Sequence, residues 1–316
     1  MRLIMLGTGP FAVPTLQALA KSEHEVALVV SRPPKGRTST ASPLQRAGES
    51  LSIETWTPDT VNVAEAQAKL ASYQADLLVV CDYGEILKSD TLSAARLGGI
   101  NLHGSLLPKY RGAAPVQWAI LRGEAETGNS VIQMTPGLDA GPCLGQQRTP
   151  IDPDEDAEQL ESRLADMGAD LVCQVLTDLA AGNAQPIEQD AQSASKAPRL
   201  KKEDGAIDWS RPALEIKNRV RALRPWPRAY TFWHRAEGTP LRLSIDRVQL
   251  AEPPHGEAAS AAGPGEVAQA TSRLLIAAGD GPVDVLEVQA AGKRPMSAAE
   301  FLRGNRVAVG DRFGPA

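Results

Sequence analysis

Asn101 and His103 stand two residues apart in Gly99-Ile100-Asn101-Leu102-His103, a short apolar stretch that runs into Gly104-Ser105-Leu106-Leu107-Pro108. Side chains two apart on a strand point the same way. The pair therefore aims an amide and an imidazole into one cleft. An amide donor beside an acid–base group suits acyl transfer through a tetrahedral intermediate: the amide steadies the oxygen as it gains charge, and the imidazole moves the proton. A third polar residue, Asp139, lies in Gly137-Leu138-Asp139-Ala140-Gly141 after a further strand. A carboxylate beside the ring would orient it and pair with its charge. The simpler competing reading makes Asn101 and Asp139 turn caps and His103 a satisfied core residue.

Such a constellation needs a frame, and the first half of the chain supplies an alternating one. Strands are expected at Arg2–Leu6, Glu25–Val30, Asp76–Cys81, Ile100–His103 and Ser130–Met134, with helices at Val13–Lys21, Ala64–Ser72 and Ala157–Ala181. A βαβ series of this kind predicts a Rossmann-like, doubly wound, mostly parallel sheet. The unbroken apolar run Leu77-Leu78-Val79-Val80 fits a strand covered on both faces. Residues 182–205 are rich in Gly, Asn, Gln, Ser and Lys and lack a period, which marks a connector. A helix is expected at Ala213–Ala222, stopped by Arg224-Pro225-Trp226-Pro227. Short strands follow at Ala229–His234, Leu241–Leu250, Gly265–Ala270, Leu274–Ala277 and Val283–Gln289, a pattern that suits a small OB-like β-barrel. The expected division is a catalytic domain over 1–189, a linker over 190–205 and a barrel domain over 206–316.

The 316 residues carry a net charge of −5. Residues 1–189 hold 14 Lys and Arg against 23 Asp and Glu, whereas residues 190–316 hold 19 against 15. A polyanion would therefore be drawn to the second part, unless its charges simply solvate a helix face. Cys81, Cys143 and Cys173 are isolated, with no ligand-like spacing to His, so reduced buried thiols are expected and a metal site is not. No apolar run is long enough to span a bilayer, and Met1–Leu6 reads as a strand rather than a signal peptide. A cytoplasmic protein is expected.

Gly7-Thr8-Gly9-Pro10-Phe11-Ala12 partly matches a dinucleotide fingerprint, and Ser31-Arg32 could accept a 2′-phosphate. That makes an NADP-dependent oxidoreductase a rival. No hydride-transfer residues accompany the motif, so a tight strand-to-helix turn with nothing bound is the favoured reading.

The order Asn-x-His-Gly-Ser-Leu-Leu-Pro over 101–108, then Arg-Gly-Ala-Ala-Pro over 111–115, then Leu-Asp-x-Gly over 138–141, resembles the folate-dependent formyltransferase family. The resemblance implies that Asn101, His103 and Asp139 form a catalytic trio, without metal or covalent acyl-enzyme. It also implies 10-formyltetrahydrofolate as co-substrate, with Ser105, Leu106, Leu107 and Pro108 helping to bind it. Tyr83, Gly84, Ile86 and Leu87 would form the opposite wall. The second half extends the likeness through Leu200-Lys201-Lys202-Glu203-Asp204-Gly205, Arg221-Ala222-Leu223-Arg224-Pro225-Trp226 and Gly292-Lys293-Arg294-Pro295-Met296. These stretches resemble the branch whose acceptor is the α-amine of methionine on initiator tRNA. A monomer is expected. An amino sugar nucleotide as acceptor, or an RNA-binding protein without activity, are the rivals. In family members that act on tRNA a basic loop enters the acceptor stem. Here the corresponding loop, with Arg32, Lys35 and Arg37, is shorter and richer in Thr and Ser. The expected tRNA contacts are these three residues with Lys201, Lys202, Arg221 and Arg224. Thr135-Pro136 and Cys81-Asp82 depart from the family pattern beside the expected folate cleft.

Overall fold

Continuous apolar runs build the first sheet from its centre outward. In the computed structural model, which describes residues 1–34, 40–235, 238–252 and 262–316, every side chain of Leu77–Cys81 is buried. The strands are β1 (Arg2–Gly7), β2 (Glu25–Val30), β3 (Thr55–Trp56), β4 (Leu77–Cys81), β5 (Gly99–His103), β6 (Arg111–Gly112), β7 (Glu126–Gln133), β8 (Cys143–Pro150) and β9 (Lys196–Ala197). The helices of this part are α1 (Val13–Lys21), α2 (Pro43–Ser50), α3 (Ala64–Ser72), α4 (Ser89–Leu92), α5 (Pro115–Leu121) and α6 (Ala157–Ala180). The seven-stranded sheet runs β3-β2-β1-β4-β5-β7-β8. Its first five strands are parallel, β7 runs antiparallel to β5, and β8 runs antiparallel to β7. The mostly parallel sheet expected from the alternation is present; the polar strand β8, with its Gly, Gln and Arg, gave no sign of itself.

The chain leaves β1 towards β2 and β3, then crosses back to β4 and β5. This reversal makes the β1/β4 edge a topological switch point, beyond which open α/β sheets take their ligands. The loops after β1 and β4 meet there, joined by a hydrogen bond from Thr8 Oγ1 to the Tyr83 carbonyl at 3.2 Å. The Gly-Thr-Gly turn thus ties two strand ends together.

Two units are distinguished by their contacts. The first comprises Met1–Val116, Glu126–Ile151 and Gln159–Arg199; the second comprises Gln117–Ala125, Asp152–Glu158 and Leu200–Ala316. The second unit holds α7 (Ala213–Ala222), β10 (Ala229–His234), β11 (Leu241–Leu250), β12 (Val267–Ala270), β13 (Leu274–Ala277), β14 (Pro282–Ala290), β15 (Met296–Ser297), α8 (Ala298–Gly304) and β16 (Arg312–Gly314). Its antiparallel order is β12-β13-β14-β11-β10-β16. The sheet nearly closes on itself, because Phe313 N–H donates to the Gly265 carbonyl (2.7 Å) and Val267 N–H to that of Asp311 (2.9 Å). Closure removes exposed strand edges. Inside, Trp233 meets the edge of Phe301 at 5.8 Å and stacks with Phe313 at 6.5 Å. The Trp209 indole N–H is satisfied by Thr231 Oγ1 at 3.0 Å. The OB-like barrel is therefore present, with β15 and β16 added to the five strands expected.

Among the described residues no helix is long and apolar enough to cross a membrane. Cys81 is buried, and burial pushes its thiol well above the usual range. Cys143 and Cys173 keep some exposure, contrary to the expectation that all three are buried.

Candidate active site

Pairing carries Asn101 and His103 to the end of β5, between parallel β4 and antiparallel β7. Val80 lies beside Asn101 and Ser130 beside His103. The loop between β7 and β8 returns Asp139 to the same place. Its Oδ2 lies 3.7 Å from His103 Nδ1, and its Oδ1 3.4 Å from Asn101 Nδ2. His103 is 6% and Asp139 13% exposed, so the pair faces the solvent only narrowly.

Each of the two is held from behind. His103 Nε2 lies 2.9 Å from the Tyr110 carbonyl. A carbonyl only accepts, so Nε2 carries a hydrogen, and Nδ1, turned to Asp139, is the nitrogen left to gain or lose a proton. Asp139 Oδ2 accepts the Gly112 backbone N–H at 2.8 Å. Gly112 has φ +128°, and a Cβ there would lie 2.5 Å from the Ala197 carbonyl oxygen. Only glycine lets the β6 backbone pass this close to β9. Asp139 itself adopts φ +47°, a left-handed conformation uncommon outside glycine.

The segment expected to bind folate divides into inner and outer residues. Ser105 and Leu107 are buried. Ser130 Oγ ties them together, donating to the Ser105 carbonyl (2.7 Å) and accepting from Leu107 N–H (3.0 Å). Gln146 Nε2 donates to the Leu107 carbonyl at 2.7 Å. Leu106 and Pro108 remain partly exposed. On the opposite loop, Tyr83 and Leu87 turn inward to the apolar cluster of Leu78, Val80 and Leu92, leaving Gly84 and Ile86 outside. Burial pushes the Tyr83 phenol up to about 12. Ile86 is 62% and Leu138 55% exposed, and both belong to loops that flank the trio. Exposed apolar side chains above fixed backbone suit the flat face of a heterocycle.

Sequence reasoning missed what organises this loop. Glu85 accepts from Arg32 Nη1 (2.6 Å), Asn62 Nδ2 (2.9 Å), Val61 N–H (3.4 Å) and the Thr60 hydroxyl. Asn62 also donates to the Ile86 carbonyl and accepts from Lys88 N–H. Arg32, expected to contact tRNA, is thus engaged in an ion pair within the unit. Asp82 begins the same loop at φ +49°. Although the residue keeps surface exposure, its carboxyl packs where a Gly9 Cβ would collide with it. Desolvation pushes it up to about 6, against the opposing pull of the Gly9 backbone N–H and the Arg199 charge.

The remaining cations fall into two kinds. Arg221 donates to the carbonyls of Asp152 and Glu155, and Arg224 lies 3.6 Å from Asp156. Both secure the Asp152–Glu158 stretch of the second unit. Lys201 and Lys202 are exposed. Lys35 and Arg37 lie outside the described residues.

An imidazole, a carboxamide and a carboxylate converge beyond the end of β5, one strand over from the switch point of a Rossmann-like sheet, a set of groups suited to acid–base group transfer. The family model for the formyl transferase domain matches residues 1–176, and that for the formyl transferase C-terminal domain matches 199–306. This chain belongs to the formyl transferase family. It is 44% identical to the methionyl-tRNA formyltransferase of Solibacter usitatus, covering 99% of both chains, and 43% identical to that of Rhodopirellula baltica, covering 99% of this chain and 96% of the relative. Among solved structures, the fold is shared with an N-formyltransferase from Helicobacter canadensis crystallised with folinic acid and dTDP-3-aminofucose. That likeness has a TM-score of 0.68 at 19% identity, over 91% of this chain and 98% of the other.

Proposed function

We infer that this enzyme transfers the formyl group of 10-formyltetrahydrofolate to the α-amine of methionine esterified to initiator tRNA, acting as a monomer in the cytoplasm. The amine attacks the formyl carbon, the new C–N bond forms, and the carbonyl electron pair moves onto oxygen. Asn101 carries two N–H groups; one reaches Asp139 and the other serves the oxyanion. His103, held by Tyr110 at Nε2, passes protons through Nδ1. The amine proton leaves, the C–N10 bond breaks, and N10 departs protonated. Asp139 keeps the imidazole aligned and balances its charge. Leu106, Pro108, Gly84 and Ile86 contact the folate from two sides, over the scaffold of Ser105, Leu107, Tyr83 and Leu87. Lys201 and Lys202 attract the tRNA backbone by charge.

The convergence of Asp139 on Asn101 and His103 carries the chemistry, and the near-complete alignment with methionyl-tRNA formyltransferases supports the acceptor. The test is formylation of charged initiator tRNA beside formylation of a dTDP-linked amino sugar, each with and without the folate donor. Formylmethionine on tRNA is the expected product. Formylation of the amino sugar alone would overturn the acceptor assignment.

A further inference from the structure

The stretch after α6, read from composition as a connector, reaches back into the catalytic loops. Gln189 lies in it without regular secondary structure. Its side-chain amide is fully used. Nε2 donates to the carbonyls of Asp139 (2.9 Å) and Gly141 (2.8 Å), and Oε1 accepts from Arg111 Nε (3.1 Å) and Nη2 (2.7 Å). Two donors and two acceptor sites are all that a primary amide owns. The same amide thus joins the turn that carries Asp139 to the strand whose next residue, Gly112, donates to the Asp139 carboxylate. Farther along, Ser195 Oγ accepts Tyr110 N–H at 2.9 Å, and the Ser195 carbonyl accepts Arg111 N–H at 2.8 Å. Tyr110 is the residue whose carbonyl holds His103.

We propose that Gln189 is a positioning residue of the acid–base centre: by cross-linking the Asp139 turn to Arg111 it sets the separation of the Asp139 carboxylate from His103 Nδ1. Asp139 in a left-handed conformation does not hold its own carboxylate in place; the backbone needs an outside restraint. Gln189 supplies it from fifty residues away. The role rests on the trio being catalytic, as proposed above. It does not depend on which amine is formylated.

Gln189→Glu is the sharpest variant. It keeps the size and the Arg111 contact, loses both donors and sets a carboxylate against two carbonyl oxygens. A space-filling role leaves this variant near wild type. A positioning role lowers kcat on the order of 10²-fold, the cost of a displacement of about 1 Å at a reacting centre, with KM for folate and acceptor held. Gln189→Asn, which keeps the amide but falls short of the turn, provides the same reading should the first variant not fold. The His103 ring nitrogen signals, followed by NMR without substrates, move in both variants if the clamp is lost. Wild-type kcat together with unmoved His103 signals in a folded variant overturns the proposal. Wild-type enzyme that fails to formylate tRNA, while those signals still move, overturns the acceptor and leaves the clamp standing.

Discussion

His103 and Asp139 face each other through Nδ1 and Oδ2 at 3.7 Å, while the opposite ring nitrogen of His103 is committed to the Tyr110 carbonyl. The gap is longer than a hydrogen bond. The pair is therefore aligned but not locked, and Nδ1 can turn its proton to a substrate atom. In the free enzyme at alkaline pH, the neutral ring is expected as the Nε2–H tautomer. Nitrogen chemical shifts of His103 would report it, and a Nδ1–H tautomer would contradict the assignment.

Asn101→Ala and Asp139→Asn test the two partners of the imidazole. Loss of one donor to a developing oxyanion costs on the order of 10²–10³ in kcat, and Asn101→Ala is expected in that range. Asp139→Asn removes the charge and disturbs the ring, with a loss of at least about 10² expected on the same grounds. Neither change removes a side chain proposed to contact the folate, so KM for folate should move less than kcat. A large KM effect with kcat preserved would place these residues in binding instead.

Glu85 gathers four donors at the base of the loop bearing Gly84 and Ile86. Glu85→Ala strands Arg32, removes one of the partners of Asn62 and loosens that loop. Unfolding free energy is expected to fall by about 1–3 kcal/mol. KM for folate should rise roughly tenfold, which corresponds to about 1.4 kcal/mol, with kcat changing less. Denaturant titration and steady-state kinetics check the two parts. A stable variant with wild-type KM would show that the loop is ordered by other contacts.

Asp82 gives a pH dependence of defined sign. Its folded-state value, about 6, lies above the ordinary 3.8. The folded protein therefore holds a proton that the unfolded chain gives up, so this contribution is whole below the ordinary value and is lost as pH rises through 6. Asp82→Asn stays neutral throughout. Its stability relative to wild type should grow across that window and level off above it. Unfolding midpoints from pH 4 to 8 measure the difference, and a gap that is constant with pH would refute the desolvated state of Asp82.

Lys201 and Lys202 are exposed, whereas Arg221 and Arg224 are engaged with the Asp152–Glu158 stretch. Replacing each by Ala is expected to flatten the dependence of log tRNA affinity on log salt by about one unit per contact. Filter binding at several salt concentrations measures the slope. An unchanged slope would remove both lysines from the tRNA contact.

Reading along the chain was enough for features whose cause is local. Alternation placed Asn101 and His103 on one face, because strand geometry repeats every two residues whatever the surroundings. The apolar run at Leu77–Val80 announced a strand covered on both sides, and the heavily punctuated second half announced a small barrel. The motif order around Asp139 carried the resemblance that joined it to the other two. Partnership across the fold left no such mark. Arg32 reads as a free cation until Glu85, from another loop, arrives beside it. Tyr83 and Leu87 read as cleft wall, yet they turn inward once β4 is packed against its helices. Gln189 is an ordinary polar residue in a Gly- and Gln-rich stretch. Only the folded chain brings its amide to Asp139 and Arg111, because a hydrogen bond depends on distance in space and leaves no period in sequence.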